Sequence, residues 1–460
     1  MRVQNRWTKG IGTGVGLVLL LASAAGFGEP PSNAQLDTLG TMPVYSTQRL
    51  SILSDQYGPR PAGSTLLEAA FDWAYRSLKD DGLTQVQRQT VPIQGFIGGT
   101  GTLTRTGDGT PTQGVPVLPL GGTTGTPPEG VEGPLLCVSS LDELELTPRE
   151  QIRGAIVLLN QPMENREDLS PLEAYQRAVK ARLKGPALAA LRGAKGVVVR
   201  SITPASLGTL HGGITEFPSH LPAIPAVSIT LEEADRLTRL ARGGTVQVRL
   251  QVHVAPPERT MSQNITGEIR GRELPEEIIL IGVHLDTWHQ GDGSADNGCG
   301  VAMAMDAMRM INRLPRRPRR TIRLALFTDE EQHLAGAKAY QAEYGNQQHR
   351  VVVEPDLGCG KPRALMVSGS SAQRNWLEAH LAHLSPFGIE RVQPGGTGAN
   401  VAPLVTPSTW GIGFLPHLDG YFEVHHSAGD TFEKIDLESL EQHTRILATL
   451  LWLLGEEDVP

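Results

Sequence analysis

Apolar runs of strand length alternate with helical segments in the C-terminal half of the chain. Residues 278–283, 324–327 and 351–353 are continuous apolar runs rather than alternating ones. This pattern is typical of strands covered on both faces, as in a sheet flanked by helices. Helical spacing of apolar positions predicts helices over residues 300–312, 373–384 and 437–454. We therefore expect an α/β fold in which a sheet, parallel where these strands lie, is covered by helices on both faces.

A different pattern occupies the middle of the chain. Residues 98–134 are rich in Gly, Thr and Pro, which predicts short strands and turns. Further short strands are predicted at residues 155–159, 196–199, 225–229 and 246–252, with helices around 171–183 and 231–240. We interpret residues 106–253 as a β-rich module inserted into the α/β domain, which then comprises residues 25–105 and 254–460. A chain of 460 residues is long enough for two domains.

Histidines and carboxylates stand where the apolar runs end. They are His284 and Asp286, Glu330 and Glu331, Asp356, and the pair His425 and His426. Any one of these clusters alone is more often a capped turn or a surface carboxylate than a metal ligand. All four together favour a hydrolytic site for two divalent cations, because strand ends meet at one edge of a sheet. We expect the carboxylate of Asp286 to accept the second ring N–H of His284 and so orient the imidazole.

The same segments resemble the M28 metallopeptidases, most closely the carboxypeptidase Q-like branch of that family. The matching blocks are His284-Leu-Asp-Thr-Trp, Ala295-Asp-Asn-Gly-Cys-Gly, Asp329-Glu-Glu-Gln, Glu354-Pro-Asp and His425-His-Ser-Ala-Gly-Asp-Thr. The resemblance covers nearly the whole mature chain. It implies a zinc-exopeptidase fold (phosphorylase/hydrolase-like), in which helices flank a mixed sheet. It also implies an inserted protease-associated (PA) domain, which corresponds to the β-rich module.

The resemblance also implies a set of site residues and two zinc ions per chain. Asp296 would bridge the ions, with one coordination sphere completed by His284 and Asp356 and the other by Glu331 and His426. Glu330 would be the general base, and His425 would lie behind the ligands or face the substrate. A cis peptide bond between Asp296 and Asn297 is implied as well.

Three positions depart from the family pattern. Pro355 stands where this branch more often has a small polar residue, and Asp329 stands where it has a small one. Neither change removes a ligand. Asn400 occupies a position that is commonly acidic, so substrate recognition is not carried over at that position.

Composition narrows the function further. The net charge of −8 and the pI near 5.9 give no general footprint for nucleic acid. The one basic cluster, between Arg309 and Arg323, is interpreted as a solvated connection from a helix to a strand. Three cysteines do not make a disulfide framework. Cys299 and Cys359 could pair, but two small buried side chains in tight loops are the favoured interpretation.

The amino terminus has the pattern of an export signal. Arg2, Arg6 and Lys9 precede a short apolar core, and Ala22-Ser-Ala24 supplies a small-residue cleavage frame. We interpret residues 1–24 as a signal peptide and expect a secreted or periplasmic protein with no stable membrane span after processing.

Three functions from different classes remain open on the sequence. The leading one is an exopeptidase acting on small peptides with free termini, and the family suggests a homodimer. The alternatives are a non-catalytic binding protein on the same scaffold and an acyltransferase similar to glutaminyl cyclase. Retention of Glu330 and of all five implied ligands favours the peptidase.

Overall fold

The computed structural model of the protein describes residues 33–95, 98–106, 114–256 and 258–460. The predicted signal peptide lies outside these residues. The strands within them are β1 (Thr84–Gly95), β2 (Gly99–Thr106), β3 (Val115–Pro119), β4 (Val131–Val138), β5 (Ile156–Leu159), β6 (Gly196–Arg200), β7 (Ala226–Ile229), β8 (Gln247–Val254), β9 (Glu258–Ile269), β10 (Leu274–His284), β11 (Arg320–Phe327), β12 (Gln348–Glu354), β13 (Ala364–Ser368), β14 (Arg391–Pro394) and β15 (Trp410–Leu415).

The described residues also contain thirteen α-helices. They are α1 (Asn33–Thr41), α2 (Ser46–Ile52), α3 (Thr65–Asp80), α4 (Leu141–Leu146), α5 (Arg149–Ile152), α6 (Pro171–Leu191), α7 (Leu231–Arg242), α8 (Cys299–Asn312), α9 (Ala335–Tyr344), α10 (Ser371–Ala379), α11 (Leu381–Leu384), α12 (Tyr421–Val424) and α13 (Leu437–Glu456). None of the helices in the described residues combines the length and the apolarity that a membrane span requires.

The larger sheet has eight strands in the order β1-β9-β11-β10-β12-β15-β13-β14. Strand β10 is parallel to both β11 and β12, whereas β9 is antiparallel to β1 and β11, so the sheet is mixed. Ile279 and Ile281 of β10 pack into the large core that also contains α8 and α13. Ile278 and Leu280 face the other side, where they pack with Tyr340 of α9. The continuous apolar run is thus covered on both faces, as predicted.

The second sheet closes into a barrel in the order β2-β3-β7-β6-β5-β4-β8. Its apolar residues form two clusters of their own, one of which includes Ile156, Val198 and Leu250. The expected division between residues 105 and 106 differs from the structure. Strand β2 pairs with β3 and β8 and belongs to the barrel, because its residues continue the antiparallel ladder that closes it.

Two other expectations need correction. The helix predicted over residues 373–384 breaks at His380 into α10 and α11. The basic cluster is only partly solvated. Arg309 is buried and donates a hydrogen bond to Asp306, and Arg320 is buried and donates one to Glu277. Paired guanidinium groups of this kind are the form in which arginine is buried.

Helix α13 is more deeply buried than a helix with a single apolar face. Every residue from Ile446 to Glu456 is buried. The imidazole of His443, on the same helix, is also buried, and its Nε2 lies 2.8 Å from the carbonyl oxygen of Gly360. Burial lowers the pKa of His443 from 6.5 to about 4.

Replacing His443 by glutamine is expected to weaken the pH dependence of folding. The folded state keeps this imidazole neutral, whereas the unfolded chain protonates it below pH 6.5. The free energy of unfolding therefore falls as the pH falls from 6.5 towards 4, by about 3 kcal/mol from this residue. Urea unfolding of the His443→Gln variant across this range should show a shallower decline than the unchanged protein. The exposed His220, changed in the same way, is the control, and equal declines in all three proteins would contradict the prediction.

Candidate metal centre

His284 ends β10 at the carboxyl edge of the larger sheet and is almost completely buried. Its Nε2 lies 3.2 Å from Oδ1 of Asp356, which follows the neighbouring strand β12. The same nitrogen lies 3.2 Å from Oδ1 of Asp296 and 3.9 Å from Oε2 of Glu330. The imidazole therefore faces three carboxylates that the chain supplies from three separate segments.

The carboxylate of Asp286 does not orient His284, contrary to the expectation. The ring Nδ1 of His284 bonds the backbone carbonyl oxygen of Asp286 at 3.0 Å, and Oδ1 of Asp286 is 3.9 Å away. The Asp286 carboxylate instead accepts the backbone N–H groups of Glu330 and Glu331 at 3.1 and 3.3 Å. It thus anchors the turn that carries the two glutamates. Burial raises the pKa of Asp286 to about 6.

Asp296 lies in the segment Ser294–Gly298, directly before α8, and its peptide bond to Asn297 is cis. Asp430 holds this segment in place, because its two carboxylate oxygens accept the N–H groups of Ala295 at 2.6 Å and Asp296 at 3.1 Å. The side chain of Asp296 is then directed into the cluster from the amino end of α8.

The two adjacent histidines meet Asp296 from the opposite side. The Nε2 atoms of His425 and His426 lie 3.2 and 3.3 Å from Oδ2 of Asp296. Only His426 also reaches Oε2 of Glu331, at 3.1 Å. The rings of the two histidines are stacked with their centroids 3.7 Å apart.

The two oxygens of Asp296 therefore belong to two different groups of donors. Oδ1 lies with His284 and Asp356, and Oδ2 lies with His426 and Glu331. The structure brings together all seven residues that the sequence pointed to, which are His284, Asp286, Asp296, Glu330, Glu331, Asp356 and His426.

Burial and close contact shift the pKa values of the groups in this cluster. Burial raises the pKa of Glu330 and Glu331 well above the usual range, and neighbouring carboxylates raise both further. Burial alone would lower the pKa of His284, but the carboxylates of Asp356 and Glu330 raise it well above its ordinary value. So many buried acidic groups favour a bound divalent cation, which displaces protons from its ligands.

The donor spacing also fits cations. Nitrogen and oxygen donors at about 2.0–2.2 Å from one tetrahedral ion lie roughly 3.3–3.6 Å apart. The contacts of Asp296 with His284 and His426, at 3.2 and 3.3 Å, are close to this spacing. Oε1 of Glu331 and Nδ1 of His426 are buried without a hydrogen-bond partner among the described residues. His284, Asp296 and Glu331 together offer three donors within 4.8 Å of one another, as do Asp296, His425 and His426.

An open cleft of about 550 Å³ leads to this cluster. Glu330, Glu331, Asp356 and the two histidines line its floor. Elements attached to the barrel supply part of its wall. They are helix α6, with Leu172 and Tyr175, and the loop that carries Ile214 and Glu216. A small molecule in the cleft would therefore touch both the metal centre and the barrel.

Sequence reasoning missed two residues that hold the loops of the centre. Asp430 lies in the block His425-His-Ser-Ala-Gly-Asp-Thr, but neither the residue pattern nor the resemblance assigned it a role. Arg60 is fully buried and donates to the carbonyl oxygens of Gly58, Leu285 and Asp292. Burial lowers the pKa of Arg60 to about 10. A charged residue inside the Gly-Pro-Arg-Pro turn was the available signal for it.

Asn400, the departure from the family pattern, supports the end of β12. Its Nδ2 donates to Oε1 of Glu354 at 2.7 Å, and the backbone N–H of Val401 donates to Oε2 of the same residue at 3.0 Å. Burial raises the pKa of Glu354 to about 8. The amide thus satisfies a buried carboxyl group two residues before Asp356.

Cys299 and Cys359 are free and buried, as the favoured interpretation had it. The two thiols nevertheless interact. Burial, together with Cys359, raises the pKa of Cys299 well above its usual value.

A centre of this kind, beside a cleft at the edge of an α/β sheet, is characteristic of metal-dependent hydrolases. Residues 264–451 match the model of peptidase family M28. Carboxypeptidase Q from Homo sapiens is 34% identical over 414 residues, which are 89% of this chain and 85% of that protein. Carboxypeptidase Q from Bos taurus is 33% identical over 424 residues, which are 92% and 87% of the two chains.

Two solved structures are also similar to this chain. The crystal structure of a peptidase M28 precursor from Shewanella amazonensis SB2B superposes with a TM-score of 0.86 at 27% identity and covers 92% of this chain and 96% of that one. The zinc aminopeptidase BSAP from Bacillus subtilis shares the fold, with a TM-score of 0.62 at 20% identity over 90% of this chain and 95% of that one. The chain belongs to peptidase family M28. Within that family it is a carboxypeptidase Q-like metallopeptidase.

Proposed function

We propose that the protein is a dinuclear zinc exopeptidase that hydrolyses dipeptides or short peptides with free termini. The observation that carries the proposal is the division of the two Asp296 oxygens between His284 with Asp356 and His426 with Glu331. Imidazole and carboxylate donors suit zinc, and BSAP, which shares the fold, is a zinc aminopeptidase.

In this proposal Asp296 would hold two zinc ions, one together with His284 and Asp356 and the other together with His426 and Glu331. When bound, the ions would lower the pKa of the attacking water and polarise the scissile carbonyl group. The chain's own acid–base group is Glu330. Its side chain is 16% exposed and lines the cleft, and its Oε2 lies 3.9 Å from Nε2 of His284.

Glu330 takes the proton of the attacking water and delivers it to the leaving amine. Burial raises the pKa of Glu330, which makes its carboxylate a stronger base for the proton of the water. Asp286 keeps Glu330 in place through the backbone N–H of that residue. The retained base and the full donor set favour catalysis over the non-catalytic alternative.

We further propose that the barrel is the PA insert and that it narrows access to the cleft. Leu172, Tyr175, Ile214 and Glu216 support this, because they close one side of the cleft around a substrate of few residues. Export of the protein, with removal of residues 1–24, remains part of the proposal, and sequencing the amino terminus of the processed protein tests it.

The experiment that tests the function is a dipeptide library assay with zinc-loaded protein, before and after chelation. We expect about two zinc ions per chain, hydrolysis of part of the library, loss of activity with the chelator and recovery with zinc. Chelation should also lower Tm, because bound ions stabilise only the folded state. Activity that persists in fully metal-free protein would refute the mechanism, and the absence of any hydrolysis with two ions bound would favour a binding protein.

A further inference from the structure

One loop of the barrel lies directly on the segment that carries His425 and His426. The ring Nδ1–H of His211 donates to the carbonyl oxygen of His425 at 2.7 Å, and the backbone N–H of Gly212 donates to the carbonyl oxygen of His426 at 2.7 Å. His211 also forms an antiparallel bridge with Ser427. The barrel thus holds the backbone of both histidines.

Arg182 of helix α6 holds this loop in turn. Its Nη1 donates to the carbonyl oxygen of Gly212 at 2.7 Å, and its Nη2 donates to the hydroxyl of Tyr175 at 3.2 Å. The guanidinium fits because Gly213 has no side chain: a Cβ there would stand 2.1 Å from Cζ of Arg182. Arg182 is 5% exposed and His211 is 2% exposed, so water does not compete for these bonds.

His426 needs such support more than His284 does. The ring of His284 is held by its Nδ1 bond to the carbonyl of Asp286 at 3.0 Å. Among the described residues no group meets hydrogen-bond geometry at Nδ1 of His426, and the backbone that acts on its imidazole is that of Gly212, the residue bonded by Arg182. His426 also has a φ of 56°, a left-handed conformation that a residue with a side chain adopts only when its surroundings hold it there. The orientation of its imidazole therefore depends on how its backbone is held.

We propose that Arg182 is a positioning residue of the metal centre. By fixing Gly212, it fixes the His426 carbonyl and so keeps the imidazole of His426 aimed at Asp296 and Glu331. The inference rests on the proposed function, in which His426 binds one of the two zinc ions. It makes the barrel a structural part of that zinc site in addition to a wall of the cleft.

The test compares Arg182→Ala, Arg182→Lys and the control Arg177→Ala, an exposed arginine on the same helix. Zinc affinity is measured in the full-length protein by competition with a chromogenic chelator, and the visible spectrum of the cobalt-substituted protein reports the ligand geometry. In Arg182→Ala we expect one ion to bind as in the unchanged protein and the other about 10- to 100-fold more weakly. The cobalt spectrum should change, and kcat should fall more than KM rises.

Arg182→Lys keeps the charge and can reach one of the two acceptors, so we expect it to recover part of the lost affinity. Arg177→Ala should behave as the unchanged protein. If Arg182→Ala does not fold, Arg182→Lys carries the test, with a smaller loss of affinity expected for the same ion.

Two results would overturn the inference: unchanged zinc affinities and cobalt spectrum in folded Arg182→Ala, or equal weakening of both ions. Fewer than two ions in the unchanged protein would instead refute the proposed function and the inference with it. The two failures are therefore distinguishable.

Discussion

Replacing Glu330 by glutamine is expected to lower kcat by about 10²- to 10⁴-fold while the protein keeps both zinc ions. The change preserves the size of the side chain but removes the group that is proposed to accept and return the proton, and general acid–base catalysis is worth this much. The Asp286 carboxylate bonds the backbone N–H of residue 330, so the turn should survive the substitution. Steady-state kinetics on a cleaved dipeptide and zinc analysis of the same sample check both halves.

The matched control is Glu378→Gln, on the exposed side of α10, which should leave kcat and zinc content unchanged. A Glu330→Gln protein with near-normal kcat would remove Glu330 from the chemistry. Loss of one zinc ion in that variant would instead make Glu330 a ligand, and its low activity would then have another cause.

Replacing Asp296 by alanine is expected to remove both zinc ions and, with them, activity. Oδ1 of Asp296 lies 3.2 Å from Nε2 of His284, and Oδ2 lies 3.3 Å from Nε2 of His426. Two donors that share one ion are about this far apart, so the loss of Asp296 removes a donor from both proposed zinc ions. Zinc content after gel filtration should fall below one ion per chain, and kcat should fall at least as far as in Glu330→Gln.

Single-ligand variants provide the comparison. His284→Gln and His426→Gln should each weaken mainly one ion, because each histidine contacts its own outer carboxylate, Asp356 or Glu331. An Asp296→Ala protein that retains two tightly bound ions would show that the bridge is misassigned. Equal loss of both ions in either histidine variant would show that the two donor groups are not separate.

Much of the fold could be predicted, because the signals are local. The apolar run ending at His284 is continuous because both faces of β10 are covered, and the helix spacing around residues 300–312 matches α8. The meeting of His284, Glu331 and Asp356 followed from motifs at strand ends. Asp296 lies in the turn before α8 and His426 follows α12, so the family resemblance was the stronger signal for these two residues. Strand ends meet at one edge, so even distant motifs converge.

The interactions that the sequence did not predict are hydrogen bonds to backbone groups. A spacing of two residues predicts a contact between the Asp286 carboxylate and His284, but the carbonyl of the same residue takes that place. The contact of His211 and Gly212 with residues 425 and 426 joins segments more than 200 positions apart, and no pattern in either segment indicates it. The predicted boundary between residues 105 and 106 also differs from the structure. It leaves nearly all of β2 outside the module, whereas the ladder partners of β2 are β3 and β8 of the barrel.

The pairing of β1 with β9 has a wider consequence. The pairing ends at Gly95 and Glu258, so the chain leaves the larger sheet and returns to it at two residues that lie directly opposite each other. The segment between these two residues contributes no strand to the larger sheet, so its removal would leave the strand order of that sheet unchanged. The same removal would, however, take away His211 and Gly212 and with them two hydrogen bonds to the backbone of His425 and His426. A segment that is dispensable for the sheet is therefore tied to the residues of the metal centre.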